Sequence, residues 1–236
     1  MKKNLLIIGG DSRISKYLKK ISRIKKINYI STSRRKNRIN KNILFFDFLK
    51  FEKFKIPQDI NSVVILAGID GEKNCEKNFS VAKKISKEIL PKLIKIFAKK
   101  NIFVCYLSSM AIYNKKSLYG NLRLLAEKKI LNIAKKNKIE KKICIIRPTK
   151  NLNNVQNNYK NSINLKKSNF KEYFQPLLYS DTAKFIIKVI KNQKSGIFDI
   201  KGKNKIYFNR HYLSNRKKIL YRNNYTINKP NYTRTI

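Results

Sequence analysis

The stretch NLLIIGGDSRISKYLKKISRI, residues 4–24, decides the fold. Leu5 to Ile8 form an apolar run of strand length that ends in two glycines. Ile14, Leu18 and Ile21 then recur at helical spacing on one face of the segment 12–26. A buried strand that turns through glycine into a helix is the repeating unit of a parallel α/β sheet. The alternation continues outward. Apolar strands are predicted at 27–31, 43–47, 62–67, 102–107 and 143–147, with helices over 79–100 and 118–137. Pro91 must kink or break the first of these helices. Strands this apolar need cover on both faces, so residues 1–150 read as a doubly wound α/β domain. Beyond it, 151–175 is Asn- and Lys-rich and reads as loop, 181–192 as helix and 196–200 as strand. Together 151–208 makes a short second region that returns to the core. Residues 209–236 read as a basic tail: no acidic residue follows Asp199, while ten Lys or Arg do.

The chain has 236 residues, of which 42% are hydrophobic, enough for a sizeable core. Fifty-six Lys and Arg against thirteen Asp and Glu give a formal charge of +43. Such a balance ordinarily suggests a nucleic-acid or anionic-surface binder. Here the excess is spread along the whole chain and comes with abundant Asn and Ile. AT-rich codons explain all three residue types, whereas a binding surface explains only the Lys, which weighs against nucleic acid as the partner. The remaining case for it is the tail, where Tyr207, Tyr212, Tyr221 and Tyr225 could stack on bases. The longest apolar run, Val63 to Ile69, is too short to span a membrane. Cys75, Cys105 and Cys144 show no CxxC spacing, and there is one His. This pattern suits a reducing cytoplasm and gives no support for a zinc or other metal site.

Three places carry chemistry. In the turn IIGGDSRIS, residues 7–15, glycine would let backbone N–H groups approach a pyrophosphate at a helix N-terminus. A three-glycine turn would have glycine at Gly9 and at positions 12 and 15, which are Ser12 and Ser15. The alternative is an ordinary strand-to-helix turn with Ser12 as N-cap. The second strand ends STSRR, with no acid to accept from the ribose hydroxyls of NAD. Ser33, Arg34 and Arg35 instead suit a 2′-phosphate, although any loop in so basic a chain would carry cations. The third place is LSSMAIYN, 107–114, followed by LYGNLRLLAEKKIL, 118–131. Tyr119 and Arg123 lie four apart at the head of a helix and share a face. Ser109 lies just past a strand's carboxyl end. A phenol beside a fixed cation is expected to have a lowered pKa and to serve as acid or base.

In this order the motifs resemble the extended short-chain dehydrogenase/reductases, the branch of NAD-dependent sugar-nucleotide epimerases, dehydratases and dTDP-4-dehydrorhamnose-reductase-like proteins. The resemblance runs from Asn4 to about Phe208. It implies a Rossmann-type doubly wound parallel sheet with a small, reduced C-terminal substrate region. Gly9, Ser12, Arg13 and Ile14 would lie at the pyrophosphate, Arg34 and Arg35 at the adenosine phosphate, and Asp47 at the adenine. VVILAG places Ala67 and Gly68 at the nicotinamide ribose. Ser109, Tyr119 and Arg123 fall at the catalytic Ser or Thr, Tyr and Lys, so Arg123 departs from the family pattern. Ser86 stands where the family usually has Asn. IIRPTK (145–150), LYSDTA (178–183) and SGIFDIKG (195–202) resemble the later strands and re-entry segment. The implied function is an NADP-dependent (NAD possible) oxidoreductase or epimerase acting on a nucleotide-linked sugar, in surface polysaccharide biosynthesis and in the cytoplasm. Pairing through two helices would make it a homodimer. The serines in the turn and the Arg at the Lys position leave a second implied role, a catalytically impaired dinucleotide-binding protein of the same fold.

Overall fold

The first strand, β1 (Asn4–Ile8), shows why its sequence is apolar throughout. Leu5 and Ile7 pack on one face of the sheet against Ile14 and Leu18 of helix α1 (Arg13–Ile24). Leu6 and Ile8 point the other way, into a second core. A strand with period-2 side chains and two covered faces needs apolar residues at every position. The computed structural model describes residues 4–152, 173–203, 206–207 and 225–228.

Along the chain the further strands are β2 (Asn28–Ser33), β3 (Ile43–Phe45), β4 (Ser62–Ile65), β5 (Phe103–Leu107), β6 (Ile143–Pro148), β7 (Asn151–Leu152), β8 (Tyr173–Phe174), β9 (Leu177–Leu178), β10 (Gly196–Gly202), β11 (Ile206–Tyr207) and β12 (Tyr225–Asn228). The main sheet among the described residues runs β12-β10-β6-β5-β4-β1-β2-β3. Its pairs are parallel except β10 with β12, which is antiparallel. Two short pairs, β7 with β9 and β8 with β11, stand apart from it. The strand order reverses between β1 and β4, so the crevice beyond their carboxyl ends is the fold's natural ligand position.

The remaining helices are α2 (Glu72–Lys77), α3 (Phe79–Lys84), α4 (Leu90–Lys99), α5 (Leu118–Asn137) and α6 (Tyr179–Asn192). Helices α1 and α6 cover one face of the sheet, and α4 and α5 the other. The doubly wound arrangement expected from the strand–helix alternation is therefore present.

Several boundaries differ from the sequence expectation. The expected helix over 79–100 is α3 and α4 joined by one π turn, Ile85–Ile89. Pro91 cannot donate to the carbonyl four residues back, and the wider turn before it absorbs that loss. Strand β2 begins and ends later than 27–31, and α6 begins two residues before Asp181. Strand β3 stops at Phe45, because Asp47 instead caps the 3₁₀ turn Phe48–Lys53 by accepting from the Leu49 N–H at 3.0 Å. The stretch read as loop, 151–175, carries β7 and β8 at its two ends. The reading of 209–236 as a tail is amended at β12, which closes the β10 edge with Asp199 opposite Asn228. Tyr212, Leu213, Leu220 and Tyr221 lie outside the described residues. Cys75, Cys105 and Cys144 are free and buried. No helix among the described residues is long and apolar enough to cross a membrane.

Candidate functional site

The crevice begins at Gly9, whose φ of +92° a side chain would adopt only under strain. A Cβ there would also lie 2.7 Å from the Ala67 nitrogen, so glycine lets the β1 turn touch the end of β4. Ser12 is the N-cap of α1, its Oγ accepting from the Ser15 N–H at 3.1 Å. The capping alternative thus holds for this residue. Its backbone is ordinary extended chain, so position 12 tolerates a side chain. The first-turn N–H groups of Arg13 and Ile14 have no acceptor inside the helix and remain available to an anion at its end. The Ile14 side chain, by contrast, is core, and the exposed Arg13 guanidinium lies against Tyr179, donating to its hydroxyl at 3.3 Å.

At the end of β2 the sequence expectation is rearranged. Arg34 and Arg35 are exposed. The Ser33 hydroxyl donates to Asp11 Oδ2 at 2.6 Å and accepts from the Arg35 N–H at 3.0 Å. Arg38, which the sequence did not single out, donates from Nη1 to Asp11 Oδ1 at 2.9 Å. The turn thus supplies a carboxylate to the strand end that lacked one. Burial pushes Asp11 up, but its bonds to Ser33 and Arg38 and the charges of Arg38 and Arg35 together bring it below the usual carboxylate range.

Tyr119 and Arg123 sit in the first turns of α5 on one face, as their spacing requires, and the structure turns that face inward. The helix starts where it does because Ser117 caps it, accepting from the Gly120 N–H at 2.9 Å. Glu72 of α2 reinforces that start by accepting from the N–H groups of Leu118 and Tyr119 and from the Ser117 hydroxyl, at 2.5, 3.2 and 2.8 Å. Gly120 is needed for packing: a Cβ there would fall 2.1 Å from the Ala111 carbonyl oxygen.

Arg123 is buried. Its Nη1 donates to the Tyr106 hydroxyl at 2.9 Å, and its guanidinium carbon lies 5.0 Å from the Tyr119 ring centre. The guanidinium also lies against Gly68, 3.4 Å from where a Cβ would stand. Ala67, Gly68, Ser86, Tyr106, Tyr119 and Arg123 line one cavity of about 10 Å³. That is room for roughly one water molecule. The expectation of a lowered Tyr119 pKa is corrected. Burial outweighs the Arg123 charge, and Asp70 adds to it, so the phenol is held above its ordinary value. Ser109 does not line this cavity; its Oγ accepts from the Ala111 N–H at 3.1 Å and caps the turn Met110–Tyr113. The structure therefore brings together Tyr119, Arg123, Ala67 and Gly68, and leaves Ser109 and Asp47 as caps of neighbouring turns. A larger cavity, about 770 Å³, lies elsewhere, over the amino ends of β1 and β2, with Lys19, Arg23 and Asn42 in its wall.

Sequence reasoning missed a polar network next to Ser109, buried at Ser108, Glu127, Arg147 and Asp199 and open to solvent at Tyr113. Arg147 on β6 donates from Nε to both Glu127 carboxylate oxygens (3.1 and 3.0 Å) and from Nη2 to Oε2 (2.5 Å). The Ser108 hydroxyl also donates to Glu127. Tyr113 accepts from Arg147 Nη1 at 2.9 Å and donates to Asp199 at 2.5 Å. Burial and the Asp199 carboxylate push its phenol up to about 12. The signal was available: one Arg inside the apolar strand ICIIR and one Asp inside GIFDI must find buried partners.

No family model matches the sequence, and no curated protein matches it. Solved structures do match. A UDP-N-acetylglucosamine 4-epimerase from Bacillus cereus aligns over 90% of this chain and 79% of its own, at 17% identity and a TM-score of 0.70. A dTDP-4-dehydrorhamnose reductase from Clostridium acetobutylicum aligns over 87% and 76%, at 20% identity and 0.67. A dTDP-4-dehydrorhamnose reductase from Bacillus anthracis, in complex with NADP, aligns over 91% and 79%, at 13% identity and 0.67. These likenesses show the fold, a Rossmann-type α/β sheet. Its structural neighbours are sugar-nucleotide reductases and epimerases.

Proposed function

We propose that this chain is a nicotinamide-dinucleotide-dependent oxidoreductase or epimerase acting on a nucleotide-linked sugar. It would take NADP(H) first and accept NAD(H), and serve surface polysaccharide assembly. The observation that carries the reading is that Tyr119, Arg123 and Gly68 line one cavity just past the end of β4, where the strand order reverses. The neighbours crystallised with NADP or with NAD, and with UDP-sugars, support the same ligand classes.

The residues present suit a dinucleotide at its phosphate end. The first-turn N–H groups of α1 would hold the pyrophosphate, and Arg34, Arg35 and Arg38 supply cations near the end of β2. When bound, the nicotinamide supplies the hydride exchange with a sugar carbon. Tyr119 would carry the hydroxyl proton at its phenolic oxygen, and Arg123 would favour the phenolate through its charge. Ser109 would add a hydrogen bond to the same substrate oxygen, provided its turn moves towards the cavity.

A second reading, a dinucleotide-binding protein that does not turn its cofactor over, is favoured by one observation. Arg123 is committed to Tyr106, and the cavity beside Tyr119 holds about 10 Å³. The test is to mix the protein with NADPH and a panel of UDP- and dTDP-linked ketosugars and follow nicotinamide absorbance. The enzyme reading expects turnover that Tyr119→Phe removes while NADPH binding stays nearly intact. Binding without turnover in wild type supports the second reading, and no binding of either dinucleotide refutes both.

A further inference from the structure

The carboxylate of Asp11 stands at the end of β2 although it belongs to the β1 turn. It holds the Ser33 hydroxyl through Oδ2 at 2.6 Å and Arg38 through Oδ1 at 2.9 Å. A serine hydroxyl has one proton to donate. That of Ser33 goes to Asp11, and the oxygen already accepts from the Arg35 N–H. The group that sequence reading assigns to a 2′-phosphate is therefore in use. Arg38 is held in an ion pair with the same carboxylate, half exposed to water. A phosphate dianion arriving here must take both donors from Asp11 and then sit beside its negative charge. A pair of ribose hydroxyls meets the opposite situation, since a carboxylate has about four lone-pair sites and two are taken.

We propose that Asp11 sets the choice of dinucleotide: it accepts from the adenosine ribose hydroxyls of NAD(H), and it restrains binding of NADP(H) by holding Ser33 and Arg38. The inference rests on the dinucleotide-binding reading given above. On this reading Asp11 narrows the preference for NADP(H) that the three arginines give, without reversing it, and so lets NAD(H) be accepted.

The experiment is a fluorescence titration of the full chain with NADPH and NADH, for wild type, Asp11→Asn, Arg38→Gln and the double variant. Asp11→Asn keeps the size and an acceptor oxygen but removes the charge. It should tighten NADPH about tenfold and weaken NADH about threefold, in line with the worth of a charged hydrogen bond. Arg38→Gln should weaken NADPH, and in the double variant the NADPH gain should shrink, because only the part that comes from freeing Arg38 is lost, while release of Ser33 and removal of the Asp11 charge remain. Asp11→Ser, with a melting curve for every variant, separates altered recognition from a damaged turn. An unchanged NADPH/NADH ratio in both Asp11 variants, with wild type binding both cofactors, overturns this inference and leaves the proposed function standing. Wild type that binds neither dinucleotide removes the proposed function and this inference with it.

Discussion

Arg123 donates to the hydroxyl of Tyr106, 2.9 Å away, so the cation on α5 is anchored to the central strand β5. The guanidinium is thereby fixed beneath the Tyr119 ring rather than extended into the crevice. Tyr106→Phe should leave a buried guanidinium N–H without its acceptor and cost about 1–3 kcal/mol. Urea unfolding read by circular dichroism gives the comparison. A variant as stable as wild type would show that Arg123 finds another acceptor.

Arg123→Lys distinguishes the two functional readings. An ammonium cannot reproduce both the Tyr106 bond and the contacts with the Tyr119 and Tyr106 rings, whose centres lie 5.0 and 5.9 Å from the guanidinium carbon. If the site works with Arg, turnover should fall by about tenfold, the effect of roughly 1.4 kcal/mol. If the chain is a non-catalytic binder, turnover stays absent and the NADPH dissociation constant changes little. Single-turnover absorbance and binding titration together measure both quantities.

The Arg147–Glu127 pair is nearly sealed from water, its side chains 7% and 1% exposed. Glu127→Gln keeps the shape but removes the nearer carboxylate of Arg147, leaving Asp199 at 3.5 Å, and should cost up to about 3–5 kcal/mol, as breaking buried pairs does. A loss below about 1 kcal/mol in denaturant midpoints would show that Asp199 and Tyr113 suffice to compensate.

Glu72 carries an acid-side signature. Its bond from the Ser117 hydroxyl, with those from the Leu118 and Tyr119 N–H groups, holds its carboxyl below the ordinary glutamate value. A carboxyl lowered in the folded state contributes stability above its unfolded value of about 4.3, and that contribution is lost as pH falls through the folded value. Between pH 7 and 3 the melting temperature of Glu72→Gln should therefore fall less steeply than that of wild type. Parallel curves would mean that the cap does not titrate with folding.

Removing residues 225–236 should lower the melting temperature and promote association, because it exposes β10 as an open edge. Sedimentation and thermal melts of the shortened chain read both effects. Unchanged behaviour would make β12 an ornament of the sheet.

The core elements were legible because burial on two faces leaves a plain mark: Leu5–Ile8, Val63–Ile65 and Phe103–Tyr106 are apolar at every position. That Tyr119 and Arg123 share a face followed from their spacing; that the face points inward did not. What spacing could not give was the third dimension of the polar groups. Asp11 and Ser33 are 22 positions apart and meet only because β1 and β2 pair in parallel. The same holds for Arg147, Glu127 and Asp199, which stand on three different elements. The sign of the Tyr119 shift was also illegible, because it depends on how deeply the phenol is enclosed, and enclosure is a property of the whole packing.

The antiparallel strand β12 also sets an order of events during synthesis. Strand β10 emerges from the ribosome ahead of residues 203–224 and of β12. At about 5–20 residues per second the nascent sheet stays open on that side for roughly one to five seconds. In that interval any chaperone or neighbouring chain that recognises an unpaired strand meets β10 first.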